Sequence, residues 1–233
     1  MEINDERIRY AIDNTVVLRL PRQTLATFGT TNINYYLLTT PVYAQPSDKT
    51  ETVIREGKVS AETPRIVTPY YLTRLEGFGE NAGRYLDLII KEYGAHAPGL
   101  LYTYKNQPKE LTIVSDGLET VAGRLRDMID RQDNRLAAII KGVDELWDVS
   151  LLKFIRELTE GSLRSNLAEL RSHGLLDIDQ SGVPRDTRNR IERLFFTVER
   201  GQCDPSELKK ELDRWDLFHE YEDRFLGLFR RTT

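Results

Sequence analysis

TVIREGKVSAETPRIVTPYYL, residues 52–72, is the stretch on which the architecture turns. It holds two β-branched runs split by Glu56-Gly57, two Thr-Pro steps and a tyrosine pair. A glycine-containing pair between two such runs is a turn signal, so VIREGKVS reads as a β-hairpin with Glu56-Gly57 at its tip. That register sets Arg55 against Lys58, Ile54 against Val59 and Val53 against Ser60. Facing cations repel, which invites an anionic partner, with Arg65, Tyr70 and Tyr71 extending the surface. The same charges also have a structural use, because charged residues on a hairpin guard its edges against pairing with another chain, and Glu51, Glu56 and Glu62 are close enough to neutralise them. A three-residue loop around Gly57 is equally compatible and removes the facing cations.

Composition shifts along the chain on either side of this stretch. Ten of the eleven tyrosines precede residue 105, together with the β-branched runs and most prolines, and the remainder is rich in Leu, Arg, Glu and Asp. The shift predicts an α+β protein. Residues 1–115 form a tyrosine-rich, mixed but mostly antiparallel β part with one or two helices, and residues 116–233 form a helical bundle. Strands are expected at 16–20, 32–40, 52–55, 58–61, 65–68, 100–104 and 110–115, bounded by prolines and Gly57. One helix is expected from Asn81 to Tyr93, closed by Gly94.

Helical spacing dominates after residue 117. Leu118, Val121, Leu125 and Met128 form one stripe, and Leu151, Leu152, Ile155 and Leu158 another. A further helix is expected to start at Ser162 and end at Gly174, and Ile191, Leu194, Phe195 and Val198 mark the next. In DPSELKKELDRW, Asp204 is placed as N-cap, Pro205 at the first helical position and Glu207 at the third. The apolar face that follows, Leu208 to Phe229, reads as core or as a surface for self-association.

The 233 residues carry 39% hydrophobic and 30% charged side chains with a net charge of −4, the profile of a folded globular chain. That balance argues against a protein whose main task is nonspecific grip on nucleic acid. No apolar run is long enough to span a bilayer, and MEINDERIRY lacks the apolar centre of a signal peptide, so a cytoplasmic location without membrane association is expected. Cys203 is the single cysteine, which excludes an internal disulfide, and Asp204 beside it argues for an inert thiol.

Reactive constellations are not evident. Phosphate-loop, dinucleotide, nucleophile-elbow and zincin signatures are absent from the sequence, and GFGENAG (77–83) reads as a flexible turn. His219, Glu222 and Asp223 share one helical turn, but a salt-bridged surface explains them more simply than a metal, and neither metal nor cofactor is expected. Carboxylates such as Asp87, Glu92, Asp144 and Asp148 are not ordered by any catalytic spacing.

SLRSNLAELRSHGLLDID, within residues 148–182, resembles the third helix and first wing strand of winged-helix DNA-binding domains. The resemblance implies that Arg164 and Asn166 contact nucleic acid, and Arg185 and Arg188, which follow the resembling segment, add local positive charge for phosphate contacts. Thr159-Glu160-Gly161 leaves no room for the second helix of that family, and Asp177, Asp179 and Asp186 sit among the arginines. The leading expectation is therefore a non-catalytic binding or regulatory protein of adaptor type, with a protein partner and its recognition surface on the N-terminal part. Nucleic-acid binding through residues 150–193 and an enzyme of unrecognised family stand as alternatives.

Overall fold

The computed structural model describes residues 5–41, 51–68, 71, 87, 90–97 and 99–230. In chain order its elements are α1 (Asp5–Asp13), β1 (Val16–Arg19), β2 (Thr31–Thr39), β3 (Thr52–Ala61), β4 (Arg65–Val67), β5 (Gly99–Leu101), β6 (Tyr104–Val114), α2 (Leu118–Arg131), β7 (Ala137–Lys141), α3 (Trp147–Ser172), α4 (Arg185–Glu199), α5 (Pro205–Arg214) and α6 (Phe218–Arg230). The class is α+β, with a mixed sheet followed by helices. Two compact units are present: Met1–Pro64 with Tyr102–Asn166, and Arg65–Leu101 with Leu167–Thr233.

The first unit is built on a five-stranded sheet of order β1-β7-β2-β3-β6. β2 and β7 pair in parallel, with Tyr36 opposite Ile139, and the other pairs are antiparallel. One face carries Ile33, Tyr35, Leu37, Val59, Ala138 and Ile140 against Leu151, Phe154 and Leu158 of α3. The other carries Leu38, Ala137 and Ile139 against Val121, Ala122 and Ile129 of α2. Burial on both faces is why β7 is apolar at four successive positions and why β2, which alternates at first, is buried at each of its last three residues, Leu37 to Thr39.

β7 is a strand within the part read as a helical bundle. Ala137-Ala138-Ile139-Ile140 is a short run buried on all sides, and such a run carries no period to separate strand from helix. The hairpin at Glu56-Gly57 is overturned, because β3 runs straight through it with β2 on one side and β6 on the other. Gly57 is needed for a different reason. A Cβ there would lie 2.3 Å from Tyr35 Oη and 2.4 Å from Tyr35 Cζ, so only glycine lets the tyrosine ring lie across the strand. Tyr35 is 1% exposed, and its hydroxyl donates to Asn106 Oδ1 at 3.1 Å.

α3 is one unbroken helix, which corrects the expected start at Ser162 and removes the helix–turn–helix geometry that the winged-helix resemblance implies. Ser162 is buried in mid-helix, where its hydroxyl donates to the Leu158 carbonyl at 2.7 Å and accepts from the Leu25 amide at 3.0 Å. The residue that resembles an N-cap instead pins the loop before β2 to the helix.

In the second unit β4 and β5 form a two-stranded sheet. Tyr71, Ile191, Phe195, Leu208, Leu212, Trp215 and Phe225 pack as its core, with the Tyr71 and Trp215 rings 5.0 Å apart. Asp204 caps α5 as expected, accepting from the Ser206 amide at 2.7 Å. The terminal helix is not continuous. Trp215 ends α5, Asp216 adopts φ +57°, and the Leu217 amide donates to the Leu212 carbonyl at 2.8 Å, a closing turn in which aspartate stands where glycine is usual. Leu208, Leu212, Trp215 and Phe225, half of the face read for self-association, are buried in their own unit, and Phe229 at its end is 53% exposed.

The expected helix from Asn81 to Tyr93 lies mostly outside the described residues. Residues 90–93 are helical, and Gly94, at φ +89°, donates its amide to the Ile90 carbonyl at 2.9 Å.

Candidate functional site

β2 and β7 are parallel, and β6, antiparallel to β3, runs in the same direction, so all three carboxyl ends lie at one end of the sheet. Crevices at strand carboxyl ends are recurrent ligand sites in sheets with parallel strands. Beyond β7 the chain turns sharply at Gly142, whose amide donates to the Leu38 carbonyl at 2.9 Å. A Cβ on Gly142 would stand 2.6 Å from Ser150 Oγ. That hydroxyl accepts from the Val143 amide at 3.2 Å and lies 2.7 Å from Thr15 Oγ1, which fixes the turn.

The turn presents Asp144 to the end of β2. Its Oδ1 accepts from Thr39 Oγ1 at 2.6 Å and from Arg55 Nη1 at 2.7 Å. The Arg55 guanidinium also donates to Thr39 Oγ1 at 3.0 Å and sits 5.9 Å from the centre of the Trp147 ring. Arg55 is thus neutralised and half enclosed. It is poorly placed to hold a free anion, and Lys58, an odd number of residues away along β3, points to the opposite face.

Beside this platform lies an edge. β6 ends the sheet, and among the described residues no strand pairs with its outer side. Leu111 stands opposite Arg55 and Ile113 opposite Val53, so both share the face of the Arg55–Asp144 pair. They are 57% and 50% exposed. On the reverse face Glu110 stands opposite Glu56, which in turn stands opposite Tyr36. Burial and the adjacent Glu110 carboxylate push the Glu56 carboxyl above its usual range, against a smaller opposing pull from Lys109. Burial and the Glu56 charge likewise raise the Tyr36 phenol.

The other anticipated residues are dispersed. Arg65 lies in β4, in the second unit. Tyr71 is 2% exposed within that unit's core, and its hydroxyl accepts from Arg214 Nη1 at 3.2 Å. Tyr70 lies outside the described residues, as do Tyr43 and GFGENAG. Tyr102 and Tyr104 are stacked, and their hydroxyls bond Asn166 at 3.0 Å and Thr159 at 2.5 Å, tying β6 to α3.

Three of the four residues named for nucleic acid are buried or face a carboxylate. Asn166 is 1% exposed. Arg164 is exposed on α3, in the first unit. Arg185 lies 3.9 Å from Asp177, Arg188 bonds Asp179 at 2.7 Å and Glu220 at 2.6 Å, Arg190 bonds Glu211 at 2.6 Å, and Arg193 lies 3.9 Å from Asp186. Every one of these α4 arginines faces a carboxylate. Among the described residues no group of three histidine, cysteine or acidic side chains can hold a metal ion. The Cys203 thiol donates toward Glu207 Oε2 at 3.3 Å, and burial together with that carboxylate raises its pKa, away from the reactive thiolate.

The Leu111 and Ile113 edge and the Arg55–Asp144 pair escaped the sequence reading. Residues 110–115 read as a strand, but exposure of Leu111 and Ile113 follows only from its place at the end of the sheet. Comparison with protein-family models, with curated proteins and with solved structures finds no match to this chain.

Proposed function

We propose that the protein is a non-catalytic cytoplasmic binding protein, regulatory or adaptor in character, that recognises another protein through the carboxyl-end face of its N-terminal sheet. The observation that carries this reading is the exposed Leu111–Ile113 pair on the outermost strand, set beside the Arg55–Asp144 and Trp147 platform. Adjacent exposed aliphatic side chains on a long edge strand are a hazard unless something covers them. Half-buried Trp147 supplies the kind of aromatic anchor on which interfaces concentrate binding energy. A neutralised arginine buttressed by Asp144 and Thr39 offers a fixed polar rim rather than a mobile charge.

The test is capture from cell lysate by the full tagged chain and by its Leu111→Asp/Ile113→Asp variant, each with and without nuclease. Both positions are half exposed, so the variant keeps its fold, as circular dichroism will show. Proteins held by the parent after nuclease and lost by the variant support the reading. Equal capture by both, or recovery of nucleic acid that is lost at raised salt, overturns it.

A further inference from the structure

Resting on the binding reading above, we infer that the partner adds an extended peptide segment alongside Glu110–Val114 of β6, with apolar side chains at alternate positions over Leu111 and Ile113 and a lysine or arginine on the reverse face beside Glu110 and Glu56.

The backbone sets the kind of occupant. The outer N–H and C=O groups of an edge strand match another strand and nothing else so well, and alternate side chains of an added strand fall on opposite faces. The edge is blunted along only part of its length. Glu56 pairs with Glu110 and Gly57 with Pro108, leaving Lys109 as an extra residue in a bulge. Proline lacks the donor that a further strand needs, and bulges and lysines are devices that deter edge pairing. Lys105, Pro108 and Lys109 thus guard the first half of β6. Glu110 to Val114, about 17 Å of strand at 3.3–3.4 Å per residue, carries none of these devices.

Charge selects among strands. Glu110 and Glu56 lie directly opposite one another, and neighbouring Lys109 offsets their repulsion only in part, so a further cation is favoured there. A second copy of the chain, paired antiparallel about Thr112, sets Glu110 against Val114 and supplies no cation there. A partner strand with a lysine or arginine at that position does.

The experiment uses the full chain and fluorescent eight-residue peptides with valine at alternate positions, threonine between them and one central lysine. Two further peptides replace that lysine by glutamate, or every valine by glycine. Anisotropy titrations are expected to show saturable binding of the lysine peptide, at least about fivefold weaker binding of the glutamate peptide, and none of the glycine peptide. Glu110→Lys is expected to reverse the ranking of the first two, and Leu111→Asp/Ile113→Asp to abolish both. An unchanged ranking in Glu110→Lys, equal binding of the glycine peptide, or a concentration-dependent dimer of the parent that Leu111→Asp/Ile113→Asp dissolves each overturns the inference. If lysate capture still depends on Leu111 and Ile113 while the peptide ranking ignores residue 110, the recognition surface stands and its cationic strand partner falls. Loss of both dependences removes the surface itself.

Discussion

Gly57→Ala tests the central feature of the sheet. The added methyl would sit 2.3 Å from Tyr35 Oη and 2.4 Å from Cζ, more than 1 Å inside the roughly 3.5 Å at which carbon atoms meet comfortably. The ring, 1% exposed, has no solvent to move into. Overpacking of this kind costs about 1–3 kcal/mol. Displacing the ring also breaks the 3.1 Å bond to Asn106, and a buried hydroxyl left unpaired costs about 1–3 kcal/mol. The smaller conformational entropy of alanine in the unfolded chain returns about 0.5–1 kcal/mol. The net expectation is a loss of about 1–5 kcal/mol, a large share of the stability of any ordinary domain. Urea unfolding followed by circular dichroism measures it as a lower midpoint at constant m. The decisive comparison is the same substitution in a Tyr35→Ala background, where the ring is gone and Gly57→Ala is expected to cost nothing or to stabilise slightly. An equal cost in both backgrounds would mean that no ring lies over Gly57, as at a hairpin tip.

Other outcomes follow from the second unit. Glu211 is 3% exposed, bonds Arg190 at 2.6 Å and accepts from the Trp215 indole at 3.1 Å, so Glu211→Ala leaves a partly buried cation and an indole donor unpaired. A loss of about 3–5 kcal/mol is expected by thermal unfolding, with Glu211→Gln milder because it keeps the indole bond. Asp179 gives a pH signature. Burial alone would raise its pKa, but the Val183 and Ser181 amides and the Arg188 guanidinium outweigh burial and hold it low. Its contribution is therefore present above the unfolded value of about 3.9 and lost as pH falls through the lower folded value. Asp179→Asn should lower stability at neutral pH and flatten the melting profile below about pH 4, and a variant that keeps the parent's acid slope contradicts the assignment. Glu56 has the opposite sign. Its raised carboxyl contributes stability below the unfolded value, lost as pH rises through the folded one, so Glu56→Gln should flatten that rise-linked loss in urea midpoints taken across pH 4 to 7.

Local chemistry was legible in the sequence wherever it depends on neighbours. The Asp204-Pro205 start of α5, the Gly94 and Gly174 helix ends, strands β1 and β2 and the apolar stripes of α2 and α4 all follow from a few adjacent residues. What sequence concealed depends on contacts across the chain. Gly57 mimics a turn, and its real reason, the ring of Tyr35, lies 22 residues away. Ser162 mimics an N-cap, and its second partner, the amide of Leu25, comes from 137 residues earlier. β7 joins the sheet centre from the helical half because the β6–α2–β7 crossover carries the chain back over β3 and β2. The candidate surface was hidden for the same reason. Leu111 and Ile113 look like core until strand order places them on the rim, and Arg55 looks like a free cation until Asp144 meets it.

The measurement that bears most directly on the account is backbone amide hydrogen exchange of the full chain, alone and loaded with the protein captured from lysate. New protection is expected across Glu110–Val114, with Arg55 and Trp147 affected beside it and the Lys105–Lys109 half of β6 unchanged. Protection that appears instead along Arg185–Arg193 or on α6, with the edge of β6 still exchanging as in the free protein, would contradict it.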